Sequence, residues 1–306
     1  MTAIRLDQVS KRFGSHLAVN DLSLEVPEGS IYGFIGPNGS GKTTTLRMIL
    51  HILLPDRGRI EVFGDSRTAI VRDKIGYLPE ERGLYKKMKV RRLLRYYGEL
   101  KGRSRAEVDQ QINRWIDQIG LAQWLDKPVE ALSKGMSQKV QFIAAVISKP
   151  ELLILDEPFS GLDPVNADVL REAIHALRAD GTTVVFSTHD MAVAERMCDR
   201  IFMIFRGQKV LDGTLDQIQS AYGSDTIRVR VDGPPAGLSS LPGVTSVAGS
   251  GPMHELRFTG DPQALLTALA ARMRVHHFEV ARPSLHDIFV SIARPTPEEM
   301  LEARSA

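Results

Sequence analysis

A glycine-rich segment, Gly36, Pro37, Asn38, Gly39, Ser40 and Gly41, runs directly into Lys42, Thr43 and Thr44. It follows the apolar run Ile31 to Ile35 and precedes a helical pattern with Leu46, Ile49, Leu50 and Leu53 on one face. Strand, glycine loop and helix in that order turn successive backbone N–H groups, and the positive end of the helix, toward one point. A polyphosphate is the natural ligand there. Lys42 is expected to reach the β- and γ-phosphates, and Thr43 to place its hydroxyl on the Mg²⁺ ion that bridges them.

A second group of residues could cut what the first one holds. Leu152 to Leu155 form a continuous apolar run, as in a central parallel strand, and the run ends in Asp156 and Glu157. Carboxylates at the C-terminal end of a buried strand lie where open α/β sheets bind ligands. Asp156 is expected to hold Mg²⁺ through water and Glu157 to orient and deprotonate the attacking water, a form of general-base help worth about 10² to 10⁴ in rate. His189 lies just past another apolar run, Thr182 to Ser187. An adjacent strand there would bring its imidazole to the same edge, within reach of a γ-phosphate.

The segment LSKGMSQK, from Leu132 to Lys139, opens a helical pattern with Val140, Ile143, Ala144 and Ile147 on one face. It resembles the signature of the ATP-binding-cassette (ABC) ATPases, usually Leu-Ser-Gly-Gly-Gln, and the resemblance extends over residues 1 to about 215. It implies an α/β fold, the P-loop NTPase cassette, with a RecA-like core, an antiparallel β subdomain and a helical subdomain. ATP and Mg²⁺ come with it. So does a homodimer, in which Ser133, Lys134, Gly135 and Met136 of one chain face the P-loop of another and two ATP molecules are sandwiched between the cassettes. The same resemblance places Phe13 against adenine, puts Asp163 of SGLDP in the loop that crosses the dimer interface, and makes His189 the switch histidine. Two departures stand out: Lys134 and Met136 replace the usual glycine and glutamine, and GYLPE ends in Glu80 where glutamine is common. A carboxylate is also a hard oxygen ligand, so Glu80 is expected to join Thr43 and Asp156 at Mg²⁺.

The chain has 306 residues, enough for about two domains, and a formal net charge of +2 that gives no reason to propose nucleic acid as partner. Cys198 is the sole cysteine, which excludes an internal disulfide and suits a reducing cytosol. No apolar stretch approaches the roughly 20 residues that span a bilayer, and the N-terminus lacks signal-peptide character. A membrane path is therefore expected from an integral membrane permease, with this chain peripheral on the cytoplasmic face. The run Lys86, Lys87, Lys89, Arg91, Arg92 and Arg95 contains no acid. In the resembling family this region borders the groove for the permease's cytoplasmic helix, so contact with an acidic helix or with anionic lipid is expected as against a solvated face.

Sequence texture sets three parts: a cassette over 1–221, a small α+β domain over 222–294, and a tail over 295–306. In the second part Ile227, Val229 and Val231 alternate, Asp261 and Pro262 open a helix, and strand-like runs give a βαββαβ order. It resembles the small ferredoxin-like domain on many exporter-type cassettes, which often ends in Pro-Ser-Leu-x-x-x-Phe, here Pro283 to Phe289. His276 and His277 are adjacent in a strand and would face opposite sides, which argues against one shared metal ion. The leading reading is the ATPase subunit of a two-component exporter. A non-transport ABC ATPase acting on ribosomes or DNA, and an ordinary P-loop kinase or GTPase, are the alternatives.

Overall fold

β3 (Ile31–Ile35) and β6 (Leu152–Asp156) are buried at every position, which is why both sequences are apolar throughout rather than alternating. The computed structural model describes residues 1–66, 72–81, 83–222, 226–232, 236–249 and 252–293, so the expected 295–306 tail lies outside the described residues. β3 and β6 belong to a six-stranded sheet of order β5-β6-β7-β3-β8-β9, where β5 is Ile75–Leu78, β7 Thr183–Thr188, β8 Arg200–Phe205 and β9 Gln208–Gly213. All neighbours are parallel except the edge pair β8 and β9. The ends of β6, β7 and β3 therefore open on one edge, side by side.

Side chains along β6 alternate between two cores, as a period of two requires. Leu152 and Ile154 join Ile4, Leu22, Leu24, Phe34 and Leu46, under a three-stranded antiparallel sheet made of β1 (Thr2–Phe13), β2 (His16–Pro27) and β4 (Arg57–Val62). Leu153 and Leu155 join Leu93, Ile112, Trp115, Phe142 and Phe186, beneath the helices Val90–Leu100, Arg105–Gln118 and Lys134–Val146. The Arg105–Gln118 helix starts in a capping box, with Ser104 and Glu107 each satisfying the other's backbone N–H. The expected helix after the glycine loop closes earlier than its apolar pattern: it spans Lys42–Ile49, and His51 at φ 52° lies in the left-handed region where a helix cannot continue. Leu50 and Leu53 still pack on the core from the following turn.

Gly33, in the middle of β3, has no room for a side chain, since a Cβ there would sit 2.4 Å from Cys198 Sγ. That thiol is free, and burial together with Asp199 pushes its pKa well above the ordinary range.

Packing divides the chain into two units, the first ending at Thr214 and the second beginning at Leu215. The second unit holds a four-stranded antiparallel sheet of order β11-β12-β10-β13, from β10 (Thr226–Val231), β11 (Val244–Ala248), β12 (His254–Phe258) and β13 (Val275–Ala281). That order, with β10 between β12 and β13, is the ferredoxin-like arrangement. Its core sets Ile227, Val229, Leu256 and Phe258 against Leu265 and Leu269 of the Pro262–Arg272 helix. Asp261 caps that helix by accepting from Gln263 N. His276 lies 2.8 Å from Asp232, and His277 3.4 Å from Glu279.

Candidate active site

The glycine loop leaves the end of β3 and is held by backbone conformations that side chains oppose. A Cβ at Gly36 (φ 152°) would lie 2.2 Å from Ile204 O, and one at Gly41 (φ 108°) 2.5 Å from Ala18 O. Lys42 opens the following helix and is buried; its Nζ donates to Gly36 O at 2.7 Å and Pro37 O at 3.1 Å. Burial lowers its pKa, while the carboxylates of Glu157, Asp156 and Glu80 act in the opposite direction. Asn38, Gly39, Thr43 and Thr44 line a cavity of 380 Å³ with Phe13, Glu80 and Glu157. Phe13 ends β1, is half exposed, and carries the Lys11 ammonium 5.7 Å from its ring centre. Residues far apart in sequence thus meet at one cavity of ligand size.

Asp156 ends β6 almost fully buried. Its Oδ1 accepts from Ser187 Oγ at 2.5 Å and from Thr43 Oγ1 at 3.3 Å. Its Oδ2 is buried with no hydrogen-bond partner among the described residues, and the same holds for Ser40 Oγ. Unsatisfied buried oxygens beside a hydroxyl are a donor set that a hard cation and phosphate would complete.

Glu157 has φ 49°, a left-handed backbone that costs a non-glycine residue on the order of 1 kcal/mol. Its N–H donates to Ser187 Oγ at 3.0 Å, which helps to hold that conformation. The carboxylate lies 3.0 Å from His189 Nδ1 and 3.9 Å from Lys42 Nζ. The carboxylate thus sits between an imidazole and an ammonium at the edge of the glycine-loop cavity. Glu80 and Glu157 also border a second, much smaller space of 30 Å³ with Gln138, Gln141 and Asp156. That is room enough for a water molecule.

Ser133, Lys134, Gly135 and Met136 do not line the glycine-loop cavity. Ser133 caps the Lys134–Val146 helix, accepting from Met136 N at 3.2 Å, and no acid occupies its first turn. Gly135 instead neighbours Leu162 and Asn166. Asp163 caps the Pro164–Ala179 helix and accepts from Asn166 N at 3.0 Å. Of the basic run, Arg91 pairs with Asp126 and Arg95 with Asp109, whereas Lys86, Lys87, Lys89 and Arg92 are exposed. The acids come from other elements, which a scan of the run itself could not reveal.

Sequence reasoning missed Ser187, Gln138, Lys139 and Asn166. Ser187 was legible only as the end of an apolar strand. Lys139 carried one signal: it is one helical turn from Phe142 and Ile143, on a face that must be buried.

This fold and site define a P-loop nucleotide hydrolase of the ABC type. Residues 19–160 match the family described as "ABC transporter", and residues 213–293 match the "ATP-binding protein DrrA1-3-like, C-terminal domain". The chain is 40% identical over 289 residues to the ABC transporter ATP-binding protein YhaQ of Bacillus subtilis (strain 168), covering 94% of this chain and 97% of that one. It is 35% identical over 296 residues to Nod factor export ATP-binding protein I of Rhizobium sp. (strain N33), covering 95% and 96%. It is 31% identical over 311 residues to the linearmycin resistance ATP-binding protein LnrL of Bacillus subtilis (strain 168), covering 96% and 99%. A solved "ATP binding subunit of ABC transporter" superposes with TM-score 0.68 at 32% identity, over 72% of this chain and 93% of that one. The chain belongs to the ATP-binding proteins of the ABC transporters: it binds and hydrolyses ATP to drive a separate membrane permease. Among the described residues no helix is long and apolar enough to cross a membrane.

Proposed function

We propose that two copies of this chain close around two ATP molecules and two Mg²⁺ ions, and that the cycle powers export through an integral membrane permease. The observation that carries the reading is the separation within one chain: Gly135 packs against Leu162 and Asn166, and none of Ser133, Lys134, Gly135 and Met136 lines the cavity that Lys42 and Glu157 line. A site containing both sets needs a second chain. Lys42 and the loop N–H groups hold the β- and γ-phosphates, and Phe13 stacks on adenine. Thr43, Asp156 and Glu80 would hold Mg²⁺, which supplies charge neutralisation as the phosphoryl group leaves. Glu157 takes the proton of the attacking water, and His189, 3.0 Å away, fixes the carboxylate's direction.

Export rests on the Nod factor and linearmycin resistance relatives and on the DrrA-like unit. These relatives disfavour a ribosome or DNA role. A cavity of 640 Å³ lined by Arg47, Ile52, Tyr77, Leu84, Tyr97 and Ala144 suits the permease's cytoplasmic helix. The exposed Lys86, Lys87, Lys89 and Arg92 suit anionic headgroups at the cytoplasmic face.

Glu157→Gln removes the base and one negative charge while leaving the phosphate cradle intact. Sedimentation with saturating Mg-ATP is expected to show a stable dimer; a strict monomer would sink the sandwich.

A further inference from the structure

The Lys134–Val146 helix is tied to the Glu157-bearing loop at two consecutive residues. Gln138, buried, donates through Nε2 to the carbonyl of Pro158, the residue after Glu157. Lys139, also buried, donates through Nζ to Asn166 Oδ1 at 2.7 Å. The amide of Asn166 turns its other end to Asp163 Oδ2, at 2.5 Å, while its backbone N–H donates to Asp163 Oδ1. An ammonium, an amide and a carboxylate thus stand in line. Asparagine suits the middle position because its oxygen faces the cation and its NH₂ the anion.

The line is costly to build without a use. A lysine with 7% of its surface exposed gives up hydration, and burial lowers its pKa accordingly. A merely apolar side chain at 139 would pack beside Phe142 and Ile143 at no such cost. What the polar line adds is direction: it fixes the start of the Lys134–Val146 helix relative to both ends of the 158–163 loop. Gly135 lies against Leu162 and Asn166, within ordinary contact distance of both side chains, so the two segments also pack directly on each other.

We propose that Gln138, Lys139 and Asn166 are positioning residues that make the Ser133–Gly135 turn, Asp163 and Glu157 move as one body, thereby coupling the two ATP sites of the dimer. The inference rests on the sandwich reading above. When Ser133 and Gly135 of one chain engage the partner's nucleotide, the shift is transmitted to the same chain's own Glu157. Each site thus reports its occupancy to the other, and hydrolysis is cooperative in ATP.

The test uses the full chain. Lys139→Met is expected to lower kcat about tenfold or more and bring the Hill coefficient for ATP close to one, with nucleotide affinity measured on dilute protein within twofold of wild type. Lys139→Arg keeps the cation and should restore both quantities. Asn166→Asp, which retains the size and the acceptor for Lys139 but turns a carboxylate on Asp163, should reproduce the Lys139→Met defect and guards against a misfolded methionine variant. Wild-type kcat and Hill coefficient in both Lys139→Met and Asn166→Asp would overturn the proposal. The Glu157→Gln chain separates the two ideas: if it fails to dimerise, the sandwich falls; if it dimerises while those variants behave as wild type, only the coupling falls.

Discussion

Ser187→Ala tests whether the carboxylates at the end of β6 are held from β7. Ser187 is fully buried, and its hydroxyl both donates to Asp156 Oδ1 at 2.5 Å and accepts from Glu157 N at 3.0 Å. Loss of a hydrogen bond to a charged group costs about 1.5–3 kcal/mol, and a buried N–H left without an acceptor costs about 1–3 kcal/mol. The two share one atom and do not add in full, so about 3 kcal/mol of cassette stability is expected to go. The kinetic effect has a separate origin. Glu157 sits at φ 49°, and without the Ser187 anchor its backbone can relax toward an extended conformation, which swings the carboxylate away from the glycine loop. A loss of about tenfold to a hundredfold in kcat follows from a displacement of order 1 Å, with little change in nucleotide affinity because Lys42 and the loop are untouched. Urea unfolding and steady-state phosphate release on the same preparation provide both numbers. A stability change under about 0.5 kcal/mol together with kcat within about twofold of wild type would refute the reasoning.

Phe13→Ala should weaken ATP binding while Phe13→Tyr preserves it, read by calorimetry on the Glu157→Gln background; unchanged affinity in the alanine variant would remove the adenine assignment. Joint replacement of Lys86, Lys87 and Arg92 by glutamate should weaken binding to phosphatidylglycerol vesicles about a hundredfold or more, at about 1 kcal/mol per charge removed, with no effect on phosphatidylcholine. Arg91 and Arg95 are left alone because they pair with Asp126 and Asp109; equal binding before and after the change rules this segment out as a lipid contact. His51 has a buried Nε2 with no described partner, and burial lowers its pKa. The unfolded chain therefore takes up the proton first, near pH 6.5, and stability should decline as the pH falls from there through the lower folded value. His51→Asn, which tolerates the φ of 52° at that position, should flatten that decline in urea midpoints; an unaltered slope assigns the effect elsewhere.

The cassette was legible because its chemistry is local. Gly36 to Thr44 had to follow a strand and open a helix, and Asp156 and Glu157 had to end a strand, whatever the rest of the chain did. The ferredoxin-like order was legible from alternation at Ile227, Val229 and Val231 and from the Asp261–Pro262 helix start. What stayed hidden depends on neighbours across the sheet or between helices. Ser187 matters because β7 lies next to β6 with Ser187 opposite Asp156, a register that no local pattern encodes. Arg91 and Arg95 looked like free charge because Asp126 and Asp109 are supplied by other segments. Asn166 reads as an ordinary first-turn helix residue until Lys139 is brought against it from a separate helix.

The fit of Cys198 against Gly33 bears on how this protein can be handled at the bench. Its thiol has a raised pKa, so very little of it is thiolate at neutral pH, and thiolate is the species that reacts with maleimides and disulfide reagents. A cysteine introduced at an exposed position, such as 87 or 165, would be labelled far ahead of it. Fluorophore or spin-label pairs could then be attached to the otherwise unaltered chain, without first replacing Cys198 by a residue that must fill the same space beside β3. Slow uptake of reagent by Cys198 itself would mark openings of the central sheet, a native stopwatch for unfolding at the strand that carries the phosphate loop.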